Sequence, residues 1–168
     1  MHWVDAIYFP ELVNRLADLD RRLRALGEAC DRSPDPDGHG ILDDVENVIG
    51  EGFFYCQHYM IHRKGTVRNA YSCGTRFRSH TFAQVINVAA NYWKHIGEWP
   101  DELALAPREK RTLDVIRDAG VTHSEYRLSN LLYELHPNRR LSRLLPRLVD
   151  WRKAMDRREQ THSALANG

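Results

Sequence analysis

No apolar run in this 168-residue chain approaches the roughly 18 residues that a bilayer span requires, so no membrane-crossing helix is predicted. The opening residues Met1-His2-Trp3-Val4-Asp5 hold no basic stretch and set an acid where an export signal needs apolar residues, so export is not expected. Cysteine is scarce. Cys30, Cys56 and Cys73 are odd in number and lack C-x-x-C spacing, which argues against a disulfide framework or a zinc knuckle and for reduced thiols in the cytoplasm. Internal repeats are missing, as is any apolar/polar alternation long enough to build a sheet. What is present is ordinary for a globular protein. Hydrophobic residues make up 42% and charged residues 28%, which excludes a disordered or fibrous chain. The length suits one core, expected over residues 1–160, with a short flexible tail over 161–168.

The net charge of +1 conceals three blocks. Residues 31–51 carry seven acids against one base, a balance of −6. Residues 62–80 hold five bases and no acid, and residues 139–158 hold eight bases against two acids, balances of +5 and +6. A chain neutral on average but basic in blocks can hold an anionic partner locally.

Helical periodicity dominates the pattern. Leu12, Leu16, Leu19, Leu23 and Leu26 recur at steps of four and three, which predicts a first helix over about residues 10–30. A Pro/Asp/Gly-rich break follows, then a second helix over about residues 41–61, in which Gly50 and Gly52 are expected to allow a close helix crossing. Residues 64–80 read as a long basic loop with one short strand-like piece. A third helix is predicted over residues 81–99 and a fourth over 108–119, ended by Gly120. A capping box at Thr122 and Glu125 predicts a fifth helix over 124–136. Leu141, Leu144, Leu145, Leu148 and Trp151 mark a sixth, kinked or restarted at Pro146. The fold class expected is all-α, a single-domain bundle of five or six helices with a long basic loop between helices two and three.

The third helix carries the most informative pattern. Gln84, Asn87, Asn91, His95 and Glu98 share one face, opposite Val85, Val88, Tyr92 and Ile96. A solvent face more often holds Glu, Lys and Arg, so amides and an imidazole there predict a partly buried hydrogen-bonded network. On the second helix Glu51, Tyr55, His58 and His62 also fall on one side. Were the two faces to meet, acid-base groups that titrate near neutrality would oppose each other across a cleft. His58 and His62 are spaced like helical metal ligands, but Tyr59 stands where a metalloprotease needs Glu, and a tetrahedral site would need Cys73 or His80 to complete it. No metal and no cofactor is assigned. In the basic block, Arg63, Lys64, Arg68, Arg76, Arg78 and His80 are candidates for phosphate contacts, with Tyr71 and Phe77 as stacking platforms for exposed bases.

The segment Ala90-Asn91-Tyr92-Trp93-Lys94-His95, near the end of a helix in a bundle of this size, resembles the active-site motif of HEPN domains. That motif runs Arg, a polar residue often Asn, a few further positions, then His. Asn91 and His95 match its polar residue and histidine, and Ala90 occupies the arginine position. The family comprises helical RNases and nucleic-acid-handling modules of prokaryotic toxin–antitoxin and phage-defence systems, in which arginine and histidine of two protomers meet at a dimer interface. The resemblance implies an RNA-binding homodimer, acting as a weak RNase or as a non-catalytic member. His95 would be the acid-base group, Asn91 its orienter, and Arg76 or Arg78 the cation at the phosphorane. The alternative is a protein-interaction bundle whose acidic segment and basic last helix engage a partner.

Overall fold

The computed structural model describes residues 3–64, 67, 69–99, 104–123 and 125–166 and, within those, every side chain except those of residues 3 and 162–166. It is 77% helical. Among the described residues six α-helices run in the order α1 (Trp3–Arg32), α2 (Ile41–Lys64), α3 (Phe82–His95), α4 (Pro107–Asp118), α5 (Arg127–Leu135) and α6 (Leu145–Ala166). The all-α bundle follows the periodicity. None of these helices is long and apolar enough to cross a membrane.

The basic connection between α2 and α3 contains a 3-10 turn, Ala70–Ser72, and a minimal antiparallel hairpin of β1 (Arg76–Phe77) with β2 (His80–Thr81). Thr81 then opens α3 with a capping box: its side chain accepts from Gln84 N, and the Gln84 side chain accepts from Thr81 N.

One core joins all six helices. Leu12, Leu16 and Leu19 of α1 meet Ile49, Phe53, Cys56 and Met60 of α2, and Val85, Ile86, Ala89 and Ala90 of α3. A Cβ on Gly50 would lie inside the indole of Trp93, and one on Gly52 would sit 2.6 Å from Leu141 side-chain carbons. Both glycines therefore permit the close approach expected of them. Trp151 of α6 is buried and donates its indole N–H to Ala70 O at 3.0 Å, tying the last helix to the 3-10 turn.

Several boundaries differ from the sequence reading, those at the starts of α1 and α5 through long-range contacts. α1 begins at Trp3 rather than near residue 10 and carries Pro10 internally, because Val4, Asp5 and Phe9 are held by tertiary contacts, among them Tyr59 donating to Asp5 at 2.7 Å and the Phe9–Tyr59 ring pair. α5 begins at Arg127, beyond the expected box at residues 122–125. Its first turn is capped from α2, where the Glu46 carboxylate accepts from Leu128 N and Ser129 N at 2.9 and 2.6 Å. Asp20 of α1 serves the 3-10 turn Leu141–Leu144 in the same way, accepting from Leu141 N at 2.7 Å and Ser142 N at 3.2 Å. Pro146 sits in the first turn of α6, where its missing N–H has no intrahelical partner to lose. α6 then continues to Ala166, so residues 161–166, read as tail, are helical.

Candidate nucleic-acid interface and acid-base site

The polar stripe of α3 divides its work three ways. Gln84 caps the helix. Asn87 and Asn91 are half-buried, and their Oδ1 atoms each accept from Gln57 Nε2 of α2 at 2.9 Å. Lys94 Nζ closes the network by donating to Gln57 Oε1 at 2.9 Å. The predicted amide network is therefore present, organised by a third amide. Gln57, only 2% exposed, is a site residue that sequence reasoning missed, as is Arg108. The signal for Gln57 was its position: Gly50, Phe53, Gln57 and Met60 form the buried stripe of α2, and a lone polar residue in such a stripe needs partners.

At the end of the stripe His95 Nδ1 meets Glu98 Oε2 at 3.1 Å, which leaves Nε2 as the nitrogen available to a ligand. Two cavities lie along the stripe, one where α3 faces the end of α2 and the 3-10 turn, the other in a cleft between α3 and α4. The first, about 390 Å³, is lined by Lys64, Tyr71, His80, Asn87 and Val115 among others. The second, about 300 Å³, is lined by Asn91, His95, Glu98, Trp99, Arg108 and Thr112 among others. Burial pushes the Lys94 ammonium below its usual pKa, and repulsion from Arg108 adds to the shift.

His58 and His62 do not share this cleft. Their side of α2 meets α1: Glu51 pairs with Arg22 at 2.8 Å, Tyr55 lies beneath Arg15, and His62 stacks on Tyr8 with centroids 4.3 Å apart. The rotation of α2 that points Gln57 at α3 turns the histidines toward α1, so the two polar faces do not meet in one cleft, and the candidate catalytic pair His58 and His62 is separate from Asn91 and His95. Burial, then the neighbouring His62, pushes the His58 imidazole down from its ordinary value, against the opposing pull of Glu11.

Among the basic candidates Arg63 is also a correction. Only 1% exposed, it is enclosed by acids, with a hydrogen bond to Asp156, Glu159 Oε1 at 3.2 Å and Asp5 Oδ2 at 3.7 Å, and no phosphate can reach it. Arg78 is bound to Glu134 and His80 to Asp118, so each already has a carboxylate partner. Arg76 is exposed and donates to Ser79 O at 2.7 Å, and Phe77 is half-buried under Arg147. Lys64 lies over the Tyr71 ring at 5.3 Å, at the mouth of the first cavity. Arg68 lies outside the described residues. Neither Arg76 nor Arg78 lines the His95 cavity; Arg108 does. Ala90 is fully buried in the core, so an arginine at that position would have no room.

The acidic block and the last helix are partly committed inside the molecule. Asp37 accepts from Tyr126 and Glu46 caps α5, while Arg152 covers Phe9 and Arg158 donates to Cys73 Sγ at 3.2 Å. Together the fold and the cavities define an all-α bundle with polar openings along its third helix, lined by the cations Lys64 and Arg108 and the carboxylates Glu98 and Glu109. No family model, no curated protein and no solved structure matches the chain.

Proposed function

We propose that this chain is a HEPN-like helical domain that binds RNA along the α3–α4 cleft, as part of a prokaryotic defence or toxin–antitoxin type module. The observation that carries the reading is the second cavity, where His95, the ordered amide of Asn91 and the guanidinium of Arg108 line one opening beside Lys94. Arg108 and Lys94, which repel each other, offer an anionic ligand two cations beside the imidazole, with the Glu98 and Glu109 carboxylates on the same opening, and a phosphodiester supplies that anionic charge. The first cavity, farther along α3, adds Lys64 for a second phosphate and Tyr71 as a stacking surface.

In this arrangement Arg108 takes the place that the HEPN motif gives to arginine. Glu98 fixes the His95 ring through Nδ1, and Nε2 faces the ligand as the proton-transfer atom. His95 would take the proton of a ribose 2′-hydroxyl as its oxygen attacks the adjacent phosphorus. Arg108 would stabilise the charge that gathers on the phosphorane oxygens. A second protomer would supply the acid that protonates the leaving 5′-oxygen, which is how a homodimer enters the proposal.

The test is His95→Ala, assayed for melting temperature and for cleavage and binding of single-stranded RNA. The proposal expects an unchanged melting temperature with cleavage abolished. If the parent binds RNA but cuts none, the domain is a non-catalytic binder; if it neither binds nor cuts, the reading fails.

A further inference from the structure

A second constellation lies on the opposite side of α2, outside the proposed RNA cleft. His58 and His62 are one helical turn apart and bring their Nε2 atoms to 3.1 Å. The rings are held at 70° to each other, and Tyr8 of α1 stacks on His62 at 4.3 Å and 10°, limiting its rotation. Glu11, on the next turn of α1, lines the same small cavity as Tyr8 and His58.

From this geometry we infer that His58 and His62 form a chelating site for a divalent transition-metal ion. With metal–nitrogen bonds of about 2.0–2.1 Å, a 3.1 Å separation subtends about 95–102° at the ion. That is a cis bite suited to tetrahedral, square-planar or octahedral coordination. The two nitrogens now face each other, and a turn of roughly 40° by each ring, within its own plane so that His62 keeps its stack on Tyr8, directs both lone pairs to one ion. His58 is exposed and His62 half-exposed, so water can fill the remaining positions. Among the described residues no group of three or more His, Cys, Asp or Glu is placed to hold a metal, so the pair binds as a bidentate site completed by solvent. Cys73 and His80, the partners the sequence suggested, face Arg158 and Asp118 instead. Imidazole pairs favour Zn²⁺, Ni²⁺ and Cu²⁺ over Mg²⁺ and Ca²⁺, which prefer oxygen ligands.

The experiment is isothermal titration of the untagged chain with Ni²⁺ and with Zn²⁺, repeated on His58→Gln, His62→Gln and the double variant, with Mg²⁺ as control. The inference expects one equivalent of Ni²⁺ or Zn²⁺ bound by the parent. It expects at least about tenfold weaker binding in each single variant, an effect that even outer-sphere partners produce at metal sites, and none in the double variant. Both side chains stand at the surface, so circular dichroism should show all variants folded. A parent that binds neither ion, or a double variant that binds as tightly as the parent, overturns it. The His95→Gln variant should bind metal like the parent, which keeps this site separable from the RNA cleft.

Discussion

Gln57 Nε2 donates to Asn91 Oδ1 at 2.9 Å, so a single buried amide of α2 holds the residue that flanks His95 on α3. The same nitrogen serves Asn87 Oδ1, and Lys94 serves the Gln57 oxygen. Replacing Gln57 by Leu strips three side chains, and the Asn87 carbonyl, of a partner at once. Urea unfolding should show a loss of about 1–3 kcal/mol, the usual penalty for leaving polar groups unpaired in a partly buried place. Asn87→Ala, which removes one acceptor at the edge of the cleft, should fall at the lower end of that range.

Gly50→Ala should be destabilising by about 1–3 kcal/mol, because the new methyl would meet the Trp93 indole across the α2–α3 crossing. Gly27→Ala is the companion, since nothing lies near that Cβ position, and in mid-helix it should gain roughly 0.5–1 kcal/mol. Thermal melts of the two variants should move in opposite directions.

How far these features were legible in the sequence depended on the distance over which each is decided. The leucine steps of α1 and the stripe of α3 are local, and both helices are present over those residues, although α1 starts seven residues earlier and α3 gives way to a 3-10 turn at Ile96. The start of α5 is decided by Glu46, 82 residues upstream, and the turn before α6 by Asp20, 121 residues upstream, which local capping signals cannot reveal. Arg63 and Lys64 are adjacent and equally basic in sequence, yet one is walled in by three acids and the other stands over Tyr71. Asn91 and His95 were visible as a motif. Arg108, brought beside them only by the packing of α4 on α3, was not.

Arg63→Ala should cost about 3–5 kcal/mol, since it removes the buried cation at 3.7 Å from Asp5, itself almost fully buried, and leaves that acid only Arg152 at 3.9 Å and the Tyr59 hydroxyl. Arg63→Met keeps the volume but removes the same cation, so it should be nearly as damaging. Pairing Arg63→Met with Asp5→Leu should recover part of the loss in a double-mutant cycle.

The cysteines should separate by accessibility. Burial in the core pushes the Cys56 thiol well above its ordinary range. Reaction with a thiol reagent in native buffer should therefore label Cys30 readily, and Cys56 only at the rate of unfolding. Mass spectrometry of digested samples reads the order.

Ala90→Arg, the substitution that would restore the family's motif in sequence, should unfold or severely destabilise the chain rather than create activity. Its side chain would have to enter a fully buried position. A folded variant with new RNA cleavage would mean that this face of α3 opens to solvent.

The account's central claim, that the α3–α4 cleft holds the phosphates of RNA, is tested most directly by fluorescence anisotropy of a labelled single-stranded RNA titrated with the chain at 50 and 200 mM salt (about the range over which counterion release is steep). The parent should bind at low salt and weaken sharply at high salt. A Lys64→Ala/Arg108→Ala variant should bind less tightly with a logarithmic salt slope shallower by about 1.4, or about 0.7 for each phosphate contact removed. Absence of binding at the lower salt, or a variant with the parent's affinity and slope, would contradict the claim.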